Sequence, residues 1–442
     1  MTKRQSQKGQ TIALVAVSMV SFIAMGALAI DLTSLYSARG EIQRAADAAV
    51  LAGAKAFLDS GVVTDPNNST LQALATNLAT AYAAVAASQN IIANGSAQLV
   101  PGFPTLDFSI PGNPRITIRL QRTSLPLFFA RIWGANFASV SATAVAEAYN
   151  PAFSQSNGGS FLPSAPKCVK PLLIPNSDPG QPGHPPFVNL ASGAVNSASG
   201  PFIGEQIAFK TGCNPGGGSL KGCNLPPAKG SGLQAPNAGE YLPMLVGTTH
   251  QYCHGSAAAG CSGGAGDFEQ SIECCDGTAF NFPQCGTSAT FASWDPTIDP
   301  RGIGQPSSPV QSGLQCLIHS TGGSTQQDSL DPSAFSSGTG PLLISPGTFS
   351  QSRYRLSSGA IIGTSDSVIT VPLIDTSSGT LPDSHQVNIV GFLTLFVGDA
   401  NAGNGDFNAT ILNVTGCGNN PSASAAVSGG GVSAIPVRLI HN

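Results

Sequence analysis

Charged side chains are scarce in this sequence. Its 442 residues hold 19 Lys and Arg and 23 Asp and Glu, 10% of the chain, where soluble domains usually carry about a quarter. The net charge of −4 comes without a basic stripe. That excludes a nucleic-acid binder, which must displace counterions from phosphates. Disorder driven by charge is excluded as well, because hydrophobic residues still make up 41% of the chain. Cysteine is missing from everything before Cys168, so no lipid can be attached through a thiol near the N-terminus. Also missing are a His-Glu-x-x-His helix and a phosphate-cradling Gly-x-x-x-x-Gly-Lys loop. No catalytic residue, cofactor or small-molecule substrate is therefore expected, and the chain reads as a non-enzyme.

What the chain does have is a long uncharged run. Lys3, Arg4 and Lys8 precede the stretch TIALVAVSMVSFIAMGALAI, residues 11–30. As a helix rising 1.5 Å per residue, it is long enough to cross a hydrocarbon core of about 30 Å. Basic residues before it and Asp31 after it place the N-terminus in the cytoplasm and the bulk of the chain outside. The expected protein is a single-pass inner-membrane protein with a periplasmic or cell-surface remainder. Ala27-Leu28-Ala29 has the form of a signal-peptidase site. The length of the apolar run favours a retained signal-anchor over a cleaved signal.

The helix is expected to continue past the span. Leu35, Ala38, Ile42, Ala45, Ala49, Ala52 and Ala56 alternate by three and four residues and share one face. An alanine seam is thin, so another backbone can approach closely. The remainder of this chain is the first expectation for what covers it; a partner helix, as in a pilus-like stack, is the second.

These residues resemble a known family. The basic leader, Gly9-Gln10, the apolar span ending Ala29-Ile30-Asp31-Leu32 and the signature from Gln43 to Ala54 (QRAADAAVLAGA) are similar to the N-terminal module of TadE/TadG-like proteins of Flp (Tad) pilus assembly. RITIRLQRT from Arg115, LPLFFARIWG and ASVSATAVAEAY resemble that family's strand, Phe-Phe helix and second strand. The resemblance implies a pilin-like unit and partners among pilus-assembly proteins or pilin. Two departures stand out. A prepilin-peptidase site has glutamate at the fifth residue, where counting from Gly9 gives Leu14. The nearest string to a von Willebrand A metal site, Asp375 to Gly379, lacks the second serine, so no such domain is expected.

The fold class implied is α+β: a transmembrane helix (1–30) running into a pilin-like helix-plus-antiparallel-sheet module (31–150), then a loop-rich, disulfide-linked β region. In the module, Asp65-Pro66-Asn67-Asn68 caps a second helix from Ser69 to about Ser88. Leu71, Leu74, Leu78, Tyr82 and Val85 form its apolar stripe. The alternations Leu106-Phe108-Ile110 and Ile116-Ile118-Leu120 predict a hairpin, and 138–149 a further strand. A Pro/Gly/Ser-rich linker (151–186), an irregular Cys-rich region (187–340) and a β-rich C-terminal region (341–442) complete the chain. Val368–Asp375, Gln386–Val397 and Phe407–Val414 read as strands, the middle one central because both its faces are apolar.

The ten cysteines are Cys168, Cys213, Cys223, Cys253, Cys261, Cys274, Cys275, Cys285, Cys316 and Cys417. Their even number, all after the span, predicts disulfides in an oxidising compartment. The sequence around His250, Cys253, His254 and Cys261 offers zinc ligands, but no paired Cys-x-x-Cys accompanies them and no metal is expected. Asp399, Asn401, Asn404 and Asp406 form a polar hairpin turn whose spacing departs from a calcium loop. The function expected is a membrane-anchored structural part of Flp/Tad pilus assembly or surface adhesion. The alternatives are an exported hydrolase or binding protein on a TadG-like tether, or a minor pilin (pseudopilin).

Overall fold

A computed structural model describes residues 8–150, 164–196, 202–211, 233–251, 266–276, 291–298, 308–400, 405–416, 427–428 and 433–440, apart from scattered positions within those ranges. The chain is mixed α+β. Helix α1 (Lys8–Asp59) runs unbroken for 52 residues, because no proline interrupts it and alanines fill its second half. It ends where Gly61 adopts a left-handed φ of 73°. A side chain at Gly61 would also meet the Leu412 carbonyl oxygen at 2.8 Å, so the turn needs glycine on both counts.

Helix α2 (Ser69–Gln89) begins as expected: the Asn68 side chain accepts hydrogen bonds from the Thr70 and Leu71 amides at 3.0 and 3.3 Å. Leu71, Leu74, Leu78 and Tyr82 are buried on its stripe together with Ala75, Ala79, Ala83 and Ala87, while Val85 is half-buried. Strands β1 (Gln98–Leu99), β2 (Thr105–Asp107), β3 (Arg115–Pro126) and β4 (Phe137–Ala148) make an antiparallel sheet against α1. The expected hairpin is present, with Leu106 opposite Ile116. Ile116, Ile118 and Leu120 pair with Ala146, Ala144 and Ala142, all buried. Alternating large and small residues leaves room for the helix to lie close.

Seven further strands follow: β5 (Leu172–Pro175), β6 (Gln206–Thr211), β7 (Glu240–Pro243), β8 (Phe291–Ser293), β9 (Val368–Ile374), β10 (Gln386–Asp399) and β11 (Phe407–Gly416). They hydrogen-bond in the order β8-β10-β9-β5-β7-β6-β11, and β11 also pairs with β10. The ring β10-β9-β5-β7-β6-β11 therefore closes on itself, with β8 attached to one end of β10. Closure leaves the six ring strands without an open edge at the paired residues. Strand β10 is central, as its two apolar faces imply. Leu393, Leu395 and Val397 enter one core, and Val387, Ile389 and Phe392 another. Three strands of the ring assembly come from the stretch read as irregular, which also holds helices α3 (Asp267–Glu273), α4 (Pro309–Leu317) and α5 (Ser333–Ser337). The three ring-assembly strands there are three to six residues long, too short to print a period.

The last strand, β12 (Val437–Ile440), returns to the first sheet and pairs with β4. Glu147 on β4 is buried there between Arg115, at 3.2 Å, and Arg438, at 2.6 Å. This ion pair ties the chain's end to its N-terminal module.

Phe57, fully buried and edge-on to Phe108 at 5.9 Å, anchors the end of α1. Phe57→Ala should lower stability by about 3–5 kcal/mol, read by denaturant unfolding of the detergent-solubilised protein.

Candidate functional site

Helix α1 changes surroundings halfway along. From Ile12 to Ile30, its large apolar side chains, among them Leu14, Val17, Val20, Phe22 and Ile23, are exposed. No described residue covers them, and the cost of leaving such a surface in water is high. Among the described residues, α1 is the one helix long and apolar enough to cross a membrane, with a mean hydropathy of 2.4 over its most apolar stretch.

Asp31 marks the change. Its side chain is only 3% exposed. One carboxylate oxygen accepts a hydrogen bond from the Phe128 amide at 2.9 Å, and the other from the Phe129 and Ala130 amides at 3.0 and 2.7 Å. Those donors begin a 3₁₀ turn, Ala130–Trp133, whose first amides have no partner within the turn. Burial opposes the charged form, but the amides of Ala130, Phe128 and Phe129 outweigh it and hold the carboxyl below its ordinary range. The Phe-Phe segment thus forms a single turn clamped to the end of the apolar half-helix.

Beyond Asp31 the helix is packed. Ala38, Ile42, Ala45, Ala49 and Ala56 are buried, and Leu35 and Ala52 are half-buried against the same core. This chain's own α2 and first sheet cover the seam. Ala46, Val50, Ala54 and Phe57 are buried too, so the covered face is wider than one stripe. A side chain on Gly53 would collide with Ile116 at 2.6 Å and meet the Ala79 carbonyl oxygen at 3.5 Å, which shows α1 held closely between sheet and α2. Asp59 lies buried where α1 ends, accepting from Lys55 at 2.6 Å and from the Tyr82 hydroxyl at 2.9 Å.

The helical module meets the barrel through polar contacts. Asn413 on β11 donates to the Leu58 carbonyl at 2.6 Å, the Val414 amide to Thr64 at 3.0 Å, and Asn150 to the Val414 carbonyl at 3.3 Å. A cavity of 530 Å³ opens along this seam, lined by Asp65, Asn68, Phe202, Glu205 and Phe335 among others. Burial, then the neighbouring Asp178 carboxylate, pushes Glu205 up to about 7.

A second polar cluster was not signalled by any motif. Lys170 is buried and donates to the Cys274 carbonyl at 2.7 Å. Burial pushes it down to about 7 against the opposing pull of Asp366 and Glu273. Glu273 is itself pushed up to about 7, chiefly by burial. His319 pairs with Asp366 at 2.9 Å.

Among the described residues no cysteine is free, and Cys168, Cys274 and Cys316 are disulfide-bonded. Cys213, Cys223, Cys253, Cys261, Cys285 and Cys417 lie outside the described residues, as does the side chain of Cys275. The zinc candidates at Cys253, His254 and Cys261 fall outside them as well, with the side chain of His250. Among the described residues no group of three or more His, Cys, Asp and Glu is placed to hold a metal. Of the 399–406 turn, Asn401 and Asn404 lie outside the described residues, and Asp406 accepts from the Thr211 amide at 3.3 Å. Its flanking strands β10 and β11 pair directly, so the turn closes a hairpin.

Residues 9–56 match the family model described as Putative Flp pilus-assembly TadE/G-like. This stretch covers nearly all of α1 and includes both Asp31 and the alanine seam. No curated protein and no solved structure matches the chain.

The raised Glu205 gives a pH dependence. Between about 4.5 and 7 the folded chain keeps a proton that the unfolded chain releases, so this group's stabilisation is present below 4.5 and is lost as pH rises through 7. With partial solvent screening the effect should be about 1 kcal/mol. Melting temperatures across that range should fall more steeply with pH for the wild type than for Glu205→Gln. Parallel curves would mean that Glu205 contributes nothing.

Proposed function

We propose, from the TadE/G-like match over residues 9–56, that this chain is a single-pass inner-membrane component of Flp/Tad-type pilus assembly or surface attachment, with its N-terminus in the cytoplasm. The observation that carries this reading is the division of α1. Its matched first half offers bare apolar surface to a bilayer, while its matched second half is buried in this chain's own fold. Lys3, Arg4 and Lys8 before the span favour a cytoplasmic start. The external part then acts architecturally: the helix fixes it beside the assembly machinery, and the barrel and its surrounding loops make contacts rather than perform catalysis.

The cysteines fit the same picture. Ten after the span and none before it match a chain oxidised only outside the cytoplasm, and the bonded state of Cys168, Cys274 and Cys316 supports a wider disulfide framework. Such bridges typically add about 2–4 kcal/mol each in regions with little core. Alkylation under denaturing conditions should label few of the ten thiols until reductant is added. Extensive labelling without reductant would remove the framework from this account.

A minor pilin is the second reading, because an exposed apolar half-helix also suits packing within a fibre. The mass of the mature N-terminus separates the two: an intact leader fits the anchor, and a cut after the leader fits the pilin. The anchor itself is tested by alkaline carbonate. Native protein should stay in the membrane, whereas the double variant Val17→Lys, Ile23→Lys should be released, each lysine costing up to about 3 kcal/mol at the bilayer centre. Release of the native protein would contradict the anchor.

A further inference from the structure

The turn that Asp31 holds carries more apolar surface than its packing uses. Phe128 is 65% exposed and Phe137 61% exposed, at the start and just past the end of the turn. Arg131 between them is exposed as well. On α1 itself, Tyr36 is 69% exposed and Leu32 is exposed, both within about a turn and a half of the clamp. The turn is not a loose loop. Three amide bonds to Asp31 fix its start, Gly134 closes it with a left-handed φ of 87°, and the Leu127 amide bonds the Asn136 carbonyl across its base.

We propose that the turn carrying Phe128 and Arg131, with Phe137 just past it, forms a foot that rests in the interface of the membrane α1 crosses, on the leaflet where the span ends. The proposal rests on the membrane-anchor reading. Its occupant is lipid rather than protein because of where the clamp sits. Asp31 is the first residue after the apolar span, so the Phe128 backbone is held one hydrogen bond away from the level at which hydrocarbon gives way to headgroups. Phe128 is thereby held, exposed, at the end of the span where Leu28, Ile30 and Leu32 are exposed on the helix, and Phe137 is exposed just past the same turn. Aromatic rings at that depth are the usual interfacial anchors, and Arg131 is placed to meet anionic headgroups. With a helix crossing the bilayer and a rigid foot beside it, the external domain has two points of support. A domain on a single helix could swivel and tilt; two supports fix its orientation to the membrane.

The test uses the full chain reconstituted into phosphatidylethanolamine–phosphatidylglycerol vesicles containing lipids brominated near the headgroup or deep in the acyl chain. In a Trp133→Phe background, Phe128→Trp reports on the foot and Val20→Trp on the span; Trp294 is buried and serves as a constant background. For the Phe128→Trp variant the foot predicts blue-shifted emission that shallow bromines quench more than deep ones. For the Val20→Trp variant it predicts strongest quenching by deep bromines. Adding Asp31→Asn should abolish quenching at position 128 and leave it at position 20. Quenching at 20 but not at 128 overturns the foot and leaves the anchor standing. Quenching at neither overturns both. Blue-shifted emission from position 128 without quenching means that protein, such as a second copy of the chain, covers this face, and the proposal fails. Quenching at 128 that survives Asp31→Asn removes the clamp as its cause and fails it equally.

Discussion

A single helix that must satisfy two solvents sets the terms for the rest of this structure. Over its first half α1 can be stable only with its side chains in an apolar medium, and over its second half only with its thin alanine face covered. The helix is unbroken from Lys8 to Asp59, so the change happens within it, at one residue. Asp31 is the first charged side chain after the span, and it is buried. A carboxylate there is tolerable because three backbone amides, otherwise unpaired at the start of a 3₁₀ turn, converge on it. The buried charge and the orphan amides satisfy one another. The contact fixes the sheet's far turn to the helix at the point where the helix leaves its apolar surroundings.

The alanine seam beyond that point explains the sheet's composition. Small residues on α1 bring the backbone close, and the strand underneath answers with Ala142, Ala144 and Ala146 opposite larger isoleucines and a leucine. Neither surface would bury much area alone. Together with α2 they form one core, which continues into the barrel through Val62, Val63 and the residues around Gly61. The seam is therefore used up within the chain, and the apolar half-helix is the part of α1 left to engage something else.

Much of the helical module was legible in the sequence because its elements are long and periodic. The stripe on α2, the cap at Asn68, the Ile116–Leu120 alternation and the seven seam residues all follow from spacing. What was not legible depends on contacts between distant segments. The partners of Asp31 lie 97 to 99 residues away, and a lone aspartate after an apolar run reads as a boundary, not as a clamp. The return of Val437–Ile440 to the first sheet could not be read either, since a four-residue strand carries no address. The barrel escaped for a related reason: Leu172–Pro175 and Glu240–Pro243 are short apolar runs that match a strand or a fragment of core equally well. The cluster around Lys170 has no motif at all. Its residues are brought together by the barrel and by α3 and α4.

The central claim is that Asp31 clamps the Phe128–Trp133 turn to the end of the apolar half of α1. Amide hydrogen exchange on the detergent-solubilised protein tests it most directly. The amides of Phe128, Phe129 and Ala130 should be protected in the wild type and exchange much faster in Asp31→Asn, while those of buried α2 residues such as Leu78 stay slow in both. Equal exchange at the three amides with and without the carboxylate would contradict the account.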